Sequence, residues 1–263
     1  MKAELIALDI DGTILDKPGG IPLHADVREA VRDARRSGAC VCLCSSRPAF
    51  FMKEALRGLD GVDAQIGCSG AMIEMGGEPV YMDRLPPSLL HGCFETAGKL
   101  DAYVSFAGRD RIFTGQKGPV GPPDEHDPIF ITLDNEGLLD VFRDEPLSCC
   151  FIFTNPGTPD DAVPGEPALA SASVHRSSGN CYVVTNPGTD KGSGLLRLAG
   201  ILGVRREAIL AVGNDESDVP MLRAAGVGVA VANARPEALA AADWIAPDVA
   251  HGGAAEAIRR FAL

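Results

Sequence analysis

Nowhere in the 263 residues is there an apolar run of about 18 or more, the length a helix needs to cross the hydrocarbon of a bilayer, so no membrane-spanning segment is expected. The chain enters its first apolar strand without the basic stretch, apolar core and cleavage site of a secretory signal, and the expected location is the cytoplasm. Positive charge is also scarce. With 24 Lys and Arg against 36 Asp and Glu, the formal net charge is −12. Nucleic-acid backbones and anionic membrane surfaces are bound through surplus cations, so neither is an expected partner. The eight cysteines contain no C-x-x-C pair, and no His stands at ligand spacing beside Cys40, Cys42 and Cys44, which alternate along one strand. They read as small buried hydrophobes in a reducing compartment rather than as a metal cluster.

What is present starts with Ala3 to Leu15, an apolar run that ends in two carboxylates, Asp9 and Asp11, followed by Gly12. A short run of Leu, Ile and Ala reads as a buried parallel strand, and ligands of open α/β sheets bind at the carboxyl ends of such strands. Two neighbouring acids repel unless a cation lies between them, and hard oxygen ligands suit Mg²⁺. A solvated Asp-Gly turn is the plain alternative.

Further along, Pro22 to Ser37 has helical spacing and Ala39 to Ser45 is a second apolar strand, ending in Ser45-Ser46-Arg47-Pro48 before a helix over Ala49 to Gly58. Ser45 and Ser46 either donate to an anion at that helix start or cap it. Asp63 to Ile66 reads as a third strand. The Gly67-Cys68-Ser69-Gly70-Ala71 that follows is one residue short of a nucleophile elbow, but its apolar flanks favour a turn of a hairpin.

From Asp83 the composition changes, and nine of the fourteen aromatic residues fall between there and Thr185. Short strands are expected over Ala102 to Phe106, Arg111 to Thr114, Ile129 to Leu133, Cys149 to Thr154 and Cys181 to Thr185. Helices are expected near Ser88 to Leu100, Glu136 to Arg143 and Pro159 to Ser171, with a Gly- and Pro-rich loop over Gly115 to Pro128. Arg109, Arg111 and His126 read as solvated loop residues. After Asn186 the alternation of strand and helix returns. The expected fold is a doubly wound, parallel-sheet α/β core over 1–82 and 186–263, interrupted by an α+β insertion over 83–185 with a largely antiparallel sheet.

Two further signals lie in the second core segment. Lys191 opens a helix in Gly188-Thr189-Asp190-Lys191-Gly192, where an anion gains from both charge and helix dipole. The strand Ala211-Val212-Gly213 ends in Asn214-Asp215-Glu216-Ser217-Asp218, a second acidic cluster. Acids for a cation, with hydroxyls and an ammonium for phosphoryl oxygens, describe a metal and phosphate site.

In order and spacing, Asp9-Ile10-Asp11-Gly12-Thr13, Ser45-Ser46-Arg47, Lys191-Gly192 and Gly213 to Asp218 resemble the four motifs of the haloacid dehalogenase superfamily, most nearly its Cof-type branch with a Rossmann-like core and an inserted α/β cap. Ser69-Gly70-Ala71, Val219 to Leu222, Asn233-Ala234 and Ala242-Asp243 support the match. The resemblance implies a Mg²⁺-dependent phosphatase of a small phosphorylated metabolite, a sugar phosphate first and a phosphorylated cofactor next, acting as a monomer or homodimer. Asp9 would be the nucleophile and form an aspartyl-phosphate. Asp11 would be the general acid and base, and Ser45, Ser46 and Lys191 would hold phosphoryl oxygens. The implied metal ligands are Asp9, the backbone carbonyl of Asp11, Asn214 and Asp218.

The sequence departs from the family pattern in two motifs. Ser46 replaces the Gly of Thr-Gly-Arg, and Asn214 and Ser217 replace the first Asp and the Asn of Gly-Asp-x-x-Asn-Asp. One negative charge is thus missing from the metal site, and weaker Mg²⁺ binding than in relatives is expected. A phosphomutase or phosphotransferase, or a non-catalytic phosphometabolite-binding protein, are the alternative functions.

Overall fold

The computed structural model describes residues 2–16, 23–55, 59–115 and 129–263, and it divides into two compact units, Met1–Tyr81 with Asp190–Leu263, and Met82–Thr189. In chain order the strands are β1 (Leu5–Leu8), β2 (Cys40–Cys44), β3 (Ala64–Gly67), β4 (Met72–Met75) and β5 (Glu78–Met82). They continue with β6 (Tyr103–Ala107), β7 (Ile112–Gly115), β8 (Phe130–Leu133), β9 (Cys149–Phe153), β10 (Ser173–Ser178) and β11 (Cys181–Thr185), then β12 (Ile209–Gly213), β13 (Val227–Val231) and β14 (Trp244–Ala246). The helices are α1 (Ala25–Arg36), α2 (Ala49–Ala55), α3 (Pro87–Lys99), α4 (Asn135–Asp144), α5 (Lys191–Leu202), α6 (Val219–Ala224), α7 (Pro236–Ala241) and α8 (Gly253–Phe261). Among the described residues no helix is long and apolar enough to cross a membrane.

The first unit holds an eight-stranded sheet in the order β14-β13-β12-β1-β2-β3-β4-β5. Strand β1 lies between β2 and β12, parallel to both, with Leu8 opposite Leu43 on one side and Val212 on the other. This register brings the carboxyl ends of three strands together at one edge of the sheet. Because β1 is apolar at every position, its alternating side chains feed two cores. Ile6 and Leu8 pack with Val27, Val31 and Ile258 on one face, while Leu5 and Ala7 pack with Leu195, Leu198 and Met221 on the other. Each of the Val, Leu, Ile and Met side chains among these, wholly removed from water, contributes roughly 1.5–3 kcal/mol.

Cys42 and Cys44 lie wholly buried in the second core, with Cys40 partly buried against it. Burial pushes the Cys42 thiol well above its ordinary range and that of Cys40 up to about 11. Among the described residues, no group of three or more His, Cys, Asp or Glu side chains is arranged to hold a metal ion. The start of α1 is Ala25 rather than Pro22, with His24 accepting from the Asp26 N–H at 3.2 Å; Pro22 itself lies outside the described residues. The expected end of the next helix at Gly58 also lies outside them.

The first turn of α5 is held by a reciprocal cap. Asp190 Oδ1 accepts from the Ser193 N–H at 2.7 Å, and Ser193 Oγ accepts from the Asp190 N–H at 2.9 Å. This turn packs backbone to backbone on the short 3₁₀ turn Cys68–Gly70, which answers the elbow question: Ser69 sits at φ 51° in the connection between β3 and the antiparallel β4. A Cβ on Gly194 would lie 2.6 Å from Gly70 Cα and 2.9 Å from the Ile66 side chain. Helix propensity alone favours Gly194→Ala by about 1 kcal/mol, but overpacking against backbone costs roughly 1–3 kcal/mol and prevails. The variant is expected to unfold at lower urea than wild type; an equal or higher midpoint would mean that α5 can shift.

The second unit begins at Met82 and ends at Thr189, one residue before and four after the expected insertion. Its sheet runs β10-β11-β9-β6-β7-β8, antiparallel except for the parallel β7 and β8 pair. Helices α3 and α4 bury Leu89, Leu90, Cys93, Leu138 and Phe142 on Val104, Phe106, Ile152 and Val184. Where the chain enters and leaves the unit, the Asp83 carboxylate accepts from Asn186 Nδ2 at 2.8 Å and from Thr189 Oγ1 at 2.5 Å.

Two expectations fail in this unit. Pro159 to Ser171 is a series of turns with only a 3₁₀ turn at Pro167–Leu169, since Pro164 and Pro167 lack the N–H groups a helix needs. Strand β10 was not expected from Ser173–Ser178, a polar edge strand ordered by its pairing with β11. The loop expected over Gly115 to Pro128 lies outside the described residues beyond Gly115, as does His126, while Arg111 pairs with Asp110 at 2.7 Å.

Candidate active site

Asp9 is the first residue beyond β1, tied to β12 by its N–H donating to the Val212 carbonyl at 3.0 Å, and it is only 5 % exposed. Its Oδ1 accepts from Lys191 Nζ at 2.8 Å and its Oδ2 from Thr13 Oγ1 at 3.1 Å. Lys191, 3 % exposed at the start of α5, also donates to Asp218 Oδ1 at 2.5 Å, so one ammonium serves two carboxylates. Burial alone opposes the charge on Lys191, yet Asp218 and Asp9 outweigh it and raise its pKa. For Asp9 the balance goes the other way. Burial, then the charge of Asp218, push it up to about 7 despite Lys191.

Asp218 has both oxygens engaged, for its Oδ2 accepts from the N–H groups of Asn214 and Asp215 at 2.8 and 2.9 Å, and it is completely buried. It was expected among the metal ligands; the structure makes it the counter-ion of Lys191 and the clasp of its own turn. Asp215 caps the Glu216 N–H at 2.6 Å and pairs with Arg235 at 3.2 Å. Of the polar side chains of this cluster, Asn214 is the one that reaches Asp9.

The side-chain amide of Asn214 is oriented by its neighbours. Its Oδ1 accepts from Thr13 Oγ1 at 2.7 Å and lies 3.0 Å from both Asp9 Oδ2 and the Asp11 carbonyl. The loop that presents the Asp11 carbonyl requires glycine. Gly12 has φ +86°, and a Cβ there would come within 2.4 Å of the end of the Asn214 side chain. Asn233 Nδ2 donates to the Gly12 carbonyl at 2.8 Å and holds the loop from outside.

The Asp11 carboxylate points away from this cluster and takes two bonds from Arg47, from Nε at 2.8 Å and Nη2 at 2.6 Å, at a part-buried position. Ser45 and Ser46, at the end of β2, are both buried. Ser45 Oγ accepts from the Arg47 N–H at 3.2 Å, and Ser46 Oγ accepts from Ser69 Oγ at 3.0 Å. Ser69 thus stands beside the expected phosphate-binding turn rather than as a nucleophile with a base. Thr13, Arg47 and Asn233 belong to the motifs but carry no role expected from sequence; the spacing of Thr13, one turn from Asp9, is the signal for its contact.

A family model described as haloacid dehalogenase-like hydrolase matches residues 6–258. The chain belongs to the haloacid dehalogenase-like hydrolases. It is 43% identical over 264 residues to a phosphoglycolate phosphatase of Methanoculleus marisnigri, covering 97% of this chain and 95% of that one. It is 28% identical to a phosphoglycolate phosphatase of Methanothermobacter thermautotrophicus, over 97% of each. Among solved structures it superimposes with a TM-score of 0.83 on a sugar phosphatase of haloacid dehalogenase subclass IIB, at 21% identity and 98% coverage of both chains, which speaks for the fold.

The donor set fits the divalent cation that such hydrolases use. Asp9 Oδ2, the Asp11 carbonyl and Asn214 Oδ1 converge on one point, all hard ligands suited to Mg²⁺.

Proposed function

We propose that this hydrolase is a Mg²⁺-dependent phosphatase of a small phosphorylated metabolite, acting through an aspartyl-phosphate on Asp9. The observation that carries the reading is the setting of Asp9: a buried carboxylate at a strand end, with one oxygen on Lys191 and the other on the oxygen-lined pocket of Asp11 and Thr13. Asp9 attacks phosphorus and the leaving alkoxide departs, which divides one hard displacement into two. Asp11 gives that alkoxide its proton and then takes one from the water that cleaves the acyl phosphate. Arg47 positions Asp11 for both steps. Lys191 and the hydroxyls of Ser45 and Ser46 hold the phosphoryl oxygens. Asp9 Oδ2, the Asp11 carbonyl and the amide oxygen of Asn214 would hold Mg²⁺, which would supply positive charge to offset the repulsion between carboxylate and phosphate.

The relatives named for phosphoglycolate support a phosphorylated hydroxy acid as the first substrate to try, ahead of the sugar phosphates and phosphorylated cofactors expected from the motifs. The test is phosphate release from 2-phosphoglycolate, a panel of sugar phosphates and phosphorylated cofactors, and an aryl phosphate, with Mg²⁺ and with chelator. Turnover should require Mg²⁺, and Asp11→Asn should lower kcat by roughly 10²-fold or more while substrate still binds. Phosphate transfer to an added alcohol in preference to water would make the protein a phosphotransferase. Phosphate binding without turnover of any compound would make it a binding protein.

A further inference from the structure

We propose that Ser69 is a positioning residue for anion binding: the turn Cys68–Gly70 grips the turn Ser45–Arg47, and the Ser69 hydroxyl aims that of Ser46 at a phosphoryl oxygen. The inference rests on the reading of Ser45, Ser46 and Lys191 as the groups that hold phosphate. It gives a role to a side chain that no step of the reaction uses.

The contacts are made residue by residue. The Ser69 N–H donates to the Ser45 carbonyl at 3.2 Å, the Cys68 N–H to the Arg47 carbonyl at 2.9 Å, and Ser69 Oγ to Ser46 Oγ at 3.0 Å. Both hydroxyls are buried, Ser69 at 1 % exposure and Ser46 at 7 %. Reaching three successive residues holds the turn in an unusual backbone. Cys68 and Ser69 have φ 52° and 51°, a left-handed conformation that residues with a Cβ rarely adopt, and Gly70 follows at 98°. Strain of this kind persists only where the surrounding structure imposes it, and it concentrates at functional sites. The other side of the turn is fixed as closely, for a Cβ on Gly70 would lie 2.0 Å from the carbonyl oxygen of Asp190, one residue before Lys191. One strained turn thus lies between the two sets of anion donors, the hydroxyls after β2 and the ammonium at the start of α5.

The direction of the hydrogen bonds decides what Ser69 does. Ser46 Oγ accepts from Ser69, as Ser45 Oγ accepts from the Arg47 N–H at 3.2 Å. A hydroxyl carries one proton beside its lone pairs, so one that accepts from a neighbour turns its own proton away from that neighbour. Both serines are thereby preset as donors, which is what an anion requires, and a chain of two hydroxyls strengthens its outer bond. The family pattern has Gly where this chain has Ser46, so the pair of Ser69 and Ser46 adds a hydroxyl that the pattern lacks.

Inorganic phosphate is the probe, titrated calorimetrically in Mg²⁺-containing buffer into wild type, Ser69→Gly, Ser69→Ala, Ser46→Ala and the double variant Ser46→Ala with Ser69→Gly, with urea unfolding of each. Ser69→Gly removes the hydroxyl but keeps the N–H and relieves the left-handed backbone. It should unfold at a urea concentration close to that of wild type yet bind phosphate roughly 5–10-fold more weakly. Ser69→Ala, which keeps the strain, should unfold earlier with the same loss of affinity. In the Ser46→Ala background Ser69→Gly should cost no further affinity, because it acts through Ser46. With an aryl phosphate as substrate the loss should appear chiefly in KM rather than in kcat. Phosphate affinity of Ser69→Gly equal to that of wild type, or the same loss with and without the Ser46 hydroxyl, would overturn the proposal. So would a wild type that binds no phosphate. Lack of turnover beside the expected affinities would count against the phosphatase reading alone.

Discussion

Asp9→Asn is expected to lower phosphate release by at least about 10⁴-fold and, at pH 7.5, to leave the protein more resistant to urea than wild type. The first effect follows from removing the atom that bonds to phosphorus, since an amide oxygen cannot replace a carboxylate as nucleophile. The second follows from burial. Asp9 is pushed up to about 7 from an ordinary 3.8, chiefly by burial and then by Asp218. Between those values the folded protein binds a proton that the unfolded chain has released, so stability falls as pH rises from about 4 to about 7. Above that window the ionised carboxylate costs on the order of 2–4 kcal/mol relative to a neutral side chain.

Asparagine at position 9 has no such penalty. Its N–H groups find an acceptor when the Asn214 amide presents its oxygen, and Lys191 keeps Asp218. Urea unfolding at pH 5 and pH 7.5 checks the argument: the advantage of Asp9→Asn should be small at the lower pH and grow toward the higher. A variant less stable at pH 7.5 would show that the Lys191 ion pair outweighs burial. Retained turnover would show that the nucleophile lies elsewhere.

Lys191→Met is expected to destabilise the protein by about 3–5 kcal/mol near neutral pH and to reduce turnover by roughly 10²-fold or more. Its ammonium is 2.8 Å from Asp9 and 2.5 Å from Asp218 in a site that water scarcely reaches. Methionine fills the same volume and leaves two buried carboxylates facing each other. The loss should shrink toward pH 5, where a proton on Asp9 relieves the repulsion. It should also shrink in the double variant Lys191→Met with Asp218→Asn, which removes one of the two charges. A double-mutant cycle on urea midpoints measures this coupling; additive losses would mean that Lys191 and Asp218 act independently.

Much of this site was legible because its parts are local. An apolar run that stops at Asp9 and Asp11 places those acids at a strand end whatever surrounds it, and the same holds for Ser45 after β2 and Asn214 after β12. The order of the motifs then implied one sheet, since strands that end in polar ligands are useful only when their ends meet. The β3 to β4 hairpin was legible as well, from apolar residues on both sides of Gly67 to Ala71. Where periodicity misled, the cause was also local. Pro159 to Ser171 has helical spacing but carries Pro164 and Pro167, and β10 has too little apolar alternation to announce an edge strand.

By itself, then, the sequence determined which residues stand at the strand ends, because hydrophobic period and turn chemistry act over a few neighbours. Only the tertiary structure decided how the polar atoms pair across those ends. Asn214, Asp215 and Asp218 are adjacent in sequence and alike as oxygen ligands, and nothing in their spacing says which one faces Asp9. That choice depends on a lysine 27 residues before Asp218 and an arginine after β13, which draw Asp218 and Asp215 away and leave the neutral amide of Asn214 facing Asp9. Electrostatic pairing acts through space, and these charges meet only where the sheet and α5 pack together.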